Sequence, residues 1–155
     1  GMSSGYLPIG GVIVSDKVAD IVIEKGGDFN HGYTYSGHPV ACAAALATLD
    51  IYKEEGLFEH AGEQAPKIEK AAHSLKGTKH IVDIRNLGVI AALELEPRGN
   101  AVGARGFEVM KKAWDMGLMV RANGDTLAFS PPLIVSDAQI DEMFTTVKSA
   151  LEQVD

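Results

Sequence analysis

Two residues in this chain have side chains suited to gripping an anion, and both sit in surroundings that a site would need. Thr34 lies in Phe29-Asn30-His31-Gly32-Tyr33-Thr34-Tyr35-Ser36-Gly37-His38-Pro39, a polar, aromatic and glycine-rich loop that runs straight into an apolar helix. Loops of this kind hold side chains at a site while the helix anchors them. An anion takes donors from hydroxyls and loop N–H groups, and the Tyr33 backbone, next in sequence to Thr34, carries one such N–H. Residue type alone favours a plainer role for Thr34, that of a threonine capping or decorating a loop. Arg121 is the second. Its neighbours Leu118, Val120 and Leu127 want burial, so the guanidinium needs a carboxylate, and its planar fork suits one in bidentate geometry. That carboxylate is either a ligand's or an internal partner's. Acidic residues outnumber basic ones by 21 to 14, which by itself favours the internal salt bridge.

Other chemistry lacks support. His31 and His38 have no cysteine or acidic cluster around them, so no metal site is expected. Gly5, Gly10 and Gly11 lack the Lys-Ser/Thr of a nucleotide-binding loop. Ser3, Ser4 and Ser36 stand in no Gly-x-Ser-x-Gly elbow. Cys42, inside an apolar run, reads as a small core residue rather than a nucleophile.

The elements that must position these residues follow from spacing. Gly11-Val12-Ile13-Val14 reads as a buried strand. Asp16 to Lys25 reads as a short amphipathic helix ended by Gly26-Gly27. Pro39 suits the first position of the next helix, which is apolar on every face from Val40 to Ala47 and expected to be buried in something large. Gly56 ends it and marks a domain boundary. Beyond that, Phe58, Ala61, Ala65, Ile68, Ala72 and Leu75 trace one helix face, with a kink or restart expected at Pro66. Ile81 to Arg85 and Val89 to Leu95 read as paired strands around Asn86-Leu87-Gly88. Phe107, Met110 and Trp114 mark a helix face. Leu118 to Ala122 and Thr126 to Ser130 read as a hairpin around Asn123-Gly124-Asp125. Ser136-Asp137-Ala138-Gln139 opens a last helix with a capping box, its face being Ile140, Met143, Phe144, Val147 and Leu151.

Composition bounds the rest. A chain of 155 residues, 46% hydrophobic, can bury a real core. The net charge of −7 leaves no basic stripe for nucleic acid. The strongest apolar stretch, residues 40–49, is too short to span a bilayer, so no membrane partner is expected. No signal peptide is visible, and a single cysteine fits a reducing, cytoplasmic setting.

The order of these motifs resembles one family. Gly1-Met2-Ser3-Ser4-Gly5-Tyr6-Leu7-Pro8 is similar to the run that follows the Schiff-base lysine of class III (omega) aminotransferases. The Asn30–Pro39 loop, Asp83-Ile84-Arg85-Asn86-Leu87-Gly88 and Gly117-Leu118-Met119-Val120-Arg121 with Gly124-Asp125 and Pro131-Pro132-Leu133 resemble further family motifs in the same order. The resemblance implies an α/β architecture, the C-terminal part of the fold-type I pyridoxal-phosphate-dependent transferase fold. Residues 1–55 would be a remnant of the large cofactor-binding domain and residues 56–155 the small α+β domain.

The same resemblance implies a reaction that moves an amino group from an amine or amino acid to a keto acid such as pyruvate, with pyridoxal 5'-phosphate as cofactor. It gives Thr34, with Tyr33, to the cofactor phosphate of a neighbouring subunit, and Arg121 to the substrate carboxylate. A homo-oligomer follows. The lysine would fall one residue before Gly1, so no catalytic residue is expected in this chain, which alone would be inactive. An aminomutase, or a non-catalytic assembly or interaction domain, are the alternative readings.

Overall fold

The computed structural model describes all residues from Gly1 to Asp155, and the chain divides into two compact units, Gly1–Gly56 and Leu57–Asp155.

The first unit holds two helices, α1 (Asp16–Lys25) and α2 (Pro39–Glu54). Gly26 caps α1, with Gly27 after it at φ +61°, a left-handed conformation that glycine adopts without steric cost. Pro39 occupies the first position of α2, and His38 Nδ1 accepts the Ala41 N–H at 3.4 Å. Upstream, the Ser3 hydroxyl donates to the Leu7 carbonyl, and the Tyr52 hydroxyl donates to the Gly1 carbonyl at 2.8 Å. The strand expected at Gly11–Val14 does not form. A strand is defined by its ladder, and this unit offers no second strand to pair with. Val12 and Ile13 are therefore 88% and 99% exposed rather than buried. The α2 helix buries only Ala41, Ala45 and Thr48, leaving Val40, Leu46 and Leu49 exposed. An all-round apolar helix needs cover on all sides, and within this unit it has cover on one.

The second unit is a four-stranded antiparallel sheet with three helices, in the order α3 (Leu57–His73), β1 (Ile81–Leu87), β2 (Ile90–Leu95), α4 (Ala104–Asp115), β3 (Arg121–Asn123), β4 (Thr126–Phe129) and α5 (Asp137–Leu151). The strands lie in the order β1-β2-β4-β3, so β3 is an edge strand. Ala91, Leu93 and Leu95 alternate into the core from β2, and Leu127 and Phe129 do so from β4. This is the period-two pattern of a sheet with one face covered. The α5 residues Ile140, Phe144, Val147 and Leu151 complete the core with Ile68, Ala72 and Val109, and the Phe129 and Phe144 rings lie 5.0 Å apart. Truncating a ring of that kind typically costs about 3–5 kcal/mol. The Ser136–Gln139 capping box opens α5 as expected.

Four readings change. The strand expected over Leu118 to Ala122 covers Arg121–Asn123 instead, and Asn123 pairs with Thr126 rather than turning. The α3 helix runs through Pro66 without a restart, and Phe58 is 61% exposed while Leu57 is buried in its place. The first hairpin turns at Gly88-Val89, since Leu87 already pairs with Ile90. On α4 the inward face is Arg105, Gly106, Val109 and Ala113; of the expected Phe107, Met110 and Trp114, only Met110 packs against the core. The two triplets 106/109/113 and 107/110/114 share one period and differ by a single residue, a rotation of about 100°. At Gly106 only a glycine fits, because a Cβ there would lie 2.3 Å from the Gly124 carbonyl oxygen of the β3–β4 turn. Phe107 and Trp114 are consequently 56% and 63% exposed, with Met110 half-buried. No helix is long and apolar enough to cross a membrane.

Candidate functional site

Arg121 begins edge strand β3, opposite Ala128 of β4. Val120 before it is buried in the core, so the alternation of the strand turns the guanidinium outward, where it is exposed. No carboxylate pairs with it, and no hydrogen bond engages it. The internal salt bridge that composition favoured is absent. Arg121 instead lines an open groove of about 500 Å³ between the β3–β4 hairpin and α5, with Leu118, Met119, Phe129, Met143 and Glu142 among its walls. An unpaired guanidinium over a mainly apolar groove has N–H donors that can be offered to a ligand carboxylate.

In the first unit, Tyr33-Thr34-Tyr35-Ser36 forms a turn closed by the Ser36 N–H donating to the Tyr33 carbonyl at 2.9 Å. Gly37 follows at φ +71°. Thr34 stands at the exposed apex, and its hydroxyl has no partner within the chain. The Tyr33 N–H is not free in the same sense, because it donates to Ser36 Oγ at 2.9 Å. The aromatic rings of this loop contact one another edge to face, with the His31 ring 5.9 Å from that of Phe29 and 6.2 Å from that of Tyr33. Thr34 and Arg121 belong to different units.

The Asp83-Ile84-Arg85 motif resolves into a small surface network. Asp83 and Arg85 share a face of β1, and Arg85 pairs with Asp83 and with Glu94 across the ladder. Those bonds, Glu94's first, hold the guanidinium pKa above its usual value. Sequence spacing identified the motif but not Glu94, which becomes its partner only through the strand register.

Asp125 has a role that its place in the Asn123-Gly124-Asp125 turn does not announce. It is 7% exposed, and its carboxylate accepts the Gly103 N–H at 2.6 Å and the Gly106 N–H at 2.9 Å. The available signal was an acid directly after a turn glycine, with a Gly-x-x-Gly pair some twenty residues upstream.

The pattern of the class-III aminotransferases matches residues 1–151. An omega-aminotransferase of Caulobacter vibrioides is 45% identical over 158 aligned residues, covering 100% of this chain and 36% of the relative. A beta-alanine–pyruvate aminotransferase of Pseudomonas aeruginosa is 40% identical, covering 99% of this chain and 35% of the relative. A crystal structure of the PMP-bound form of an aminotransferase from Vibrio fluvialis superposes with a TM-score of 0.87 at 32% identity, over 98% of this chain and 36% of that one. The chain belongs to the class-III aminotransferase family. It spans about a third of the length of the curated relatives it matches.

Proposed function

We propose that these residues serve as the C-terminal part of a pyridoxal-phosphate-dependent transaminase that moves an amino group from an amine or amino acid to a keto acid such as pyruvate. The observation that carries this reading is the unpaired Arg121 guanidinium over its groove, in a chain whose relatives include a beta-alanine–pyruvate aminotransferase.

The donor set fits the cofactor's phosphate. The Thr34 hydroxyl has no competing partner at the apex of its turn, and a hydroxyl beside main-chain N–H groups suits a dianion. Tyr33 would add its N–H once the Ser36 hydroxyl rotates away. Bound pyridoxal phosphate supplies the electron sink that lets the amino-bearing carbon give up a proton. Thr34 would hold the phosphate end, and Arg121 would orient the keto or amino acid by its carboxylate. The residues 1–55 are taken as the end of the large domain and 56–155 as the small domain.

The exposed apolar and aromatic residues of the first unit, including Val12, Ile13, Phe29, Tyr33 and Tyr35, support a homodimer in which Thr34 serves the neighbouring subunit's cofactor. The unpaired Cys42 supports a cytoplasmic setting.

The test is a completed enzyme, in which these residues follow the N-terminal remainder of the Caulobacter relative. Supplied with pyridoxal phosphate, an amine and pyruvate, it should release alanine in step with amine consumed. A folded completed enzyme that binds the cofactor and transfers no amino group would contradict the proposal.

A further inference from the structure

The first N–H groups of a helix have no partner within it, and side chains at the N-cap and third helical positions usually supply them reciprocally. The α4 helix has glycine at both places, Gly103 at the N-cap and Gly106 at the third position, so it cannot cap itself. The single carboxylate of Asp125 does both jobs from the tip of the β3–β4 hairpin, accepting the Gly103 and Gly106 N–H groups at 2.6 and 2.9 Å. The carbonyl of the same residue accepts the Leu95 N–H of β2 at 2.9 Å. Gly106 allows this contact to be close, since a Cβ there would lie 2.3 Å from the Gly124 carbonyl oxygen.

This pin matters because of what hangs from it. Strand β3 has three residues, a neighbour on one side only, and α4 as its helical support. Arg121 is the third ladder pair from the turn, opposite Ala128, after Asn123 opposite Thr126 and Ala122 opposite Leu127. A short edge strand of that kind takes its position from its ladder and from whatever holds its tip.

We propose that Asp125 is a positioning residue for Arg121, clamping the hairpin to the start of α4 so that the guanidinium stands where a substrate carboxylate arrives. This rests on the reading of Arg121 as the carboxylate-binding group. Asp125 itself touches no substrate, and its effect is confined to the half-reaction whose substrate needs Arg121.

The experiment uses the completed enzyme, with kcat/KM measured separately for pyruvate and for benzylamine, an amine without a carboxylate. Asp125→Asn keeps the size and removes an acceptor from the pair of N–H groups. It should raise the KM for pyruvate about tenfold, the scale on which a small misplacement of a binding group is felt, while changing kcat/KM for benzylamine less than about twofold. The double variant Arg121→Ala/Asp125→Asn should match Arg121→Ala alone on pyruvate, because a clamp without its guanidinium has nothing to place. Equal losses on both substrates, or additive losses in the double variant, would overturn the inference and leave Asp125 a structural cap. Should Asp125→Asn not fold, Asp125→Glu retains both acceptor oxygens on a longer stem. The same selective rise in KM is expected there, and an equal effect on both substrates would overturn the proposal. Arg121→Ala separates the two layers. A non-selective loss there defeats the reading of Arg121, whereas a selective loss there without one in Asp125→Asn defeats only the clamp.

Discussion

Gly106 and Gly124 meet backbone to backbone, so close that a Cβ on Gly106 would stand 2.3 Å from the Gly124 carbonyl oxygen and 2.9 Å from the Asp125 Cα. Neither neighbour is the far end of a flexible side chain, so the helix or the hairpin would have to move. Gly106→Ala should therefore destabilise the second unit by about 1–3 kcal/mol, the usual cost of overpacking, even though alanine is the better helix former. Chemical denaturation of the wild type and variant checks this. An unchanged or raised midpoint would mean that α4 and the turn are not held together as described.

His80 stands at φ +71°, with its ring nitrogen Nε2 3.2 Å from the Val154 carbonyl oxygen. Burial is the largest influence on its pKa, lowering it from 6.5, with Arg105 and Lys79 adding to the effect while Val154 and Glu96 oppose it. The unfolded chain then binds the proton more readily than the native one. The contribution to stability is full above pH 6.5 and is lost as pH falls through that value toward the lower native pKa. His80→Asn should flatten this slope, because asparagine tolerates the left-handed backbone and does not titrate there. Thermal midpoints measured across that window decide it. A variant with the same acid slope as the wild type would assign the slope to other groups.

Thr34 offers a hydroxyl without an internal partner, so removing it should cost binding rather than folding. In the completed enzyme, Thr34→Val is expected to weaken pyridoxal phosphate by about 1.5–3 kcal/mol, the worth of a hydrogen bond to a charged group, with an unchanged melting point for the cofactor-free form. Equilibrium dialysis of the cofactor gives the readout directly. Unchanged affinity would return Thr34 to the role of a loop residue.

Much of the second unit was legible because its signals are local. The Ser136–Gln139 capping box and the α5 face needed only neighbouring residues, and Gly124 marked the second hairpin turn. What failed depended on partners distant in sequence. Val12-Ile13-Val14 has strand-forming residues, but a strand also needs a ladder, and spacing cannot supply one. On α4, two triplets one residue apart fit the period equally well, and size suggested the aromatic one. The close approach of Gly106 to the turn, invisible along the chain, decided for the other. Arg121 was visible as a candidate, yet its lack of an internal partner emerged only from the fold. Asp125 belongs to a visible motif, but its role depends on Gly103 and Gly106 being brought to it.

The most direct test of the account is Arg121→Ala in the completed enzyme, with each half-reaction followed separately. Loss of a charged hydrogen-bonding partner is worth about 1.5–3 kcal/mol, roughly a ten- to hundredfold effect. The account predicts that fall in kcat/KM for pyruvate, a change of less than about threefold for benzylamine, and an unaltered melting temperature, since no internal bond is broken. A comparable fall for both substrates, with a lowered melting temperature, would show that Arg121 supports the fold instead of receiving the carboxylate.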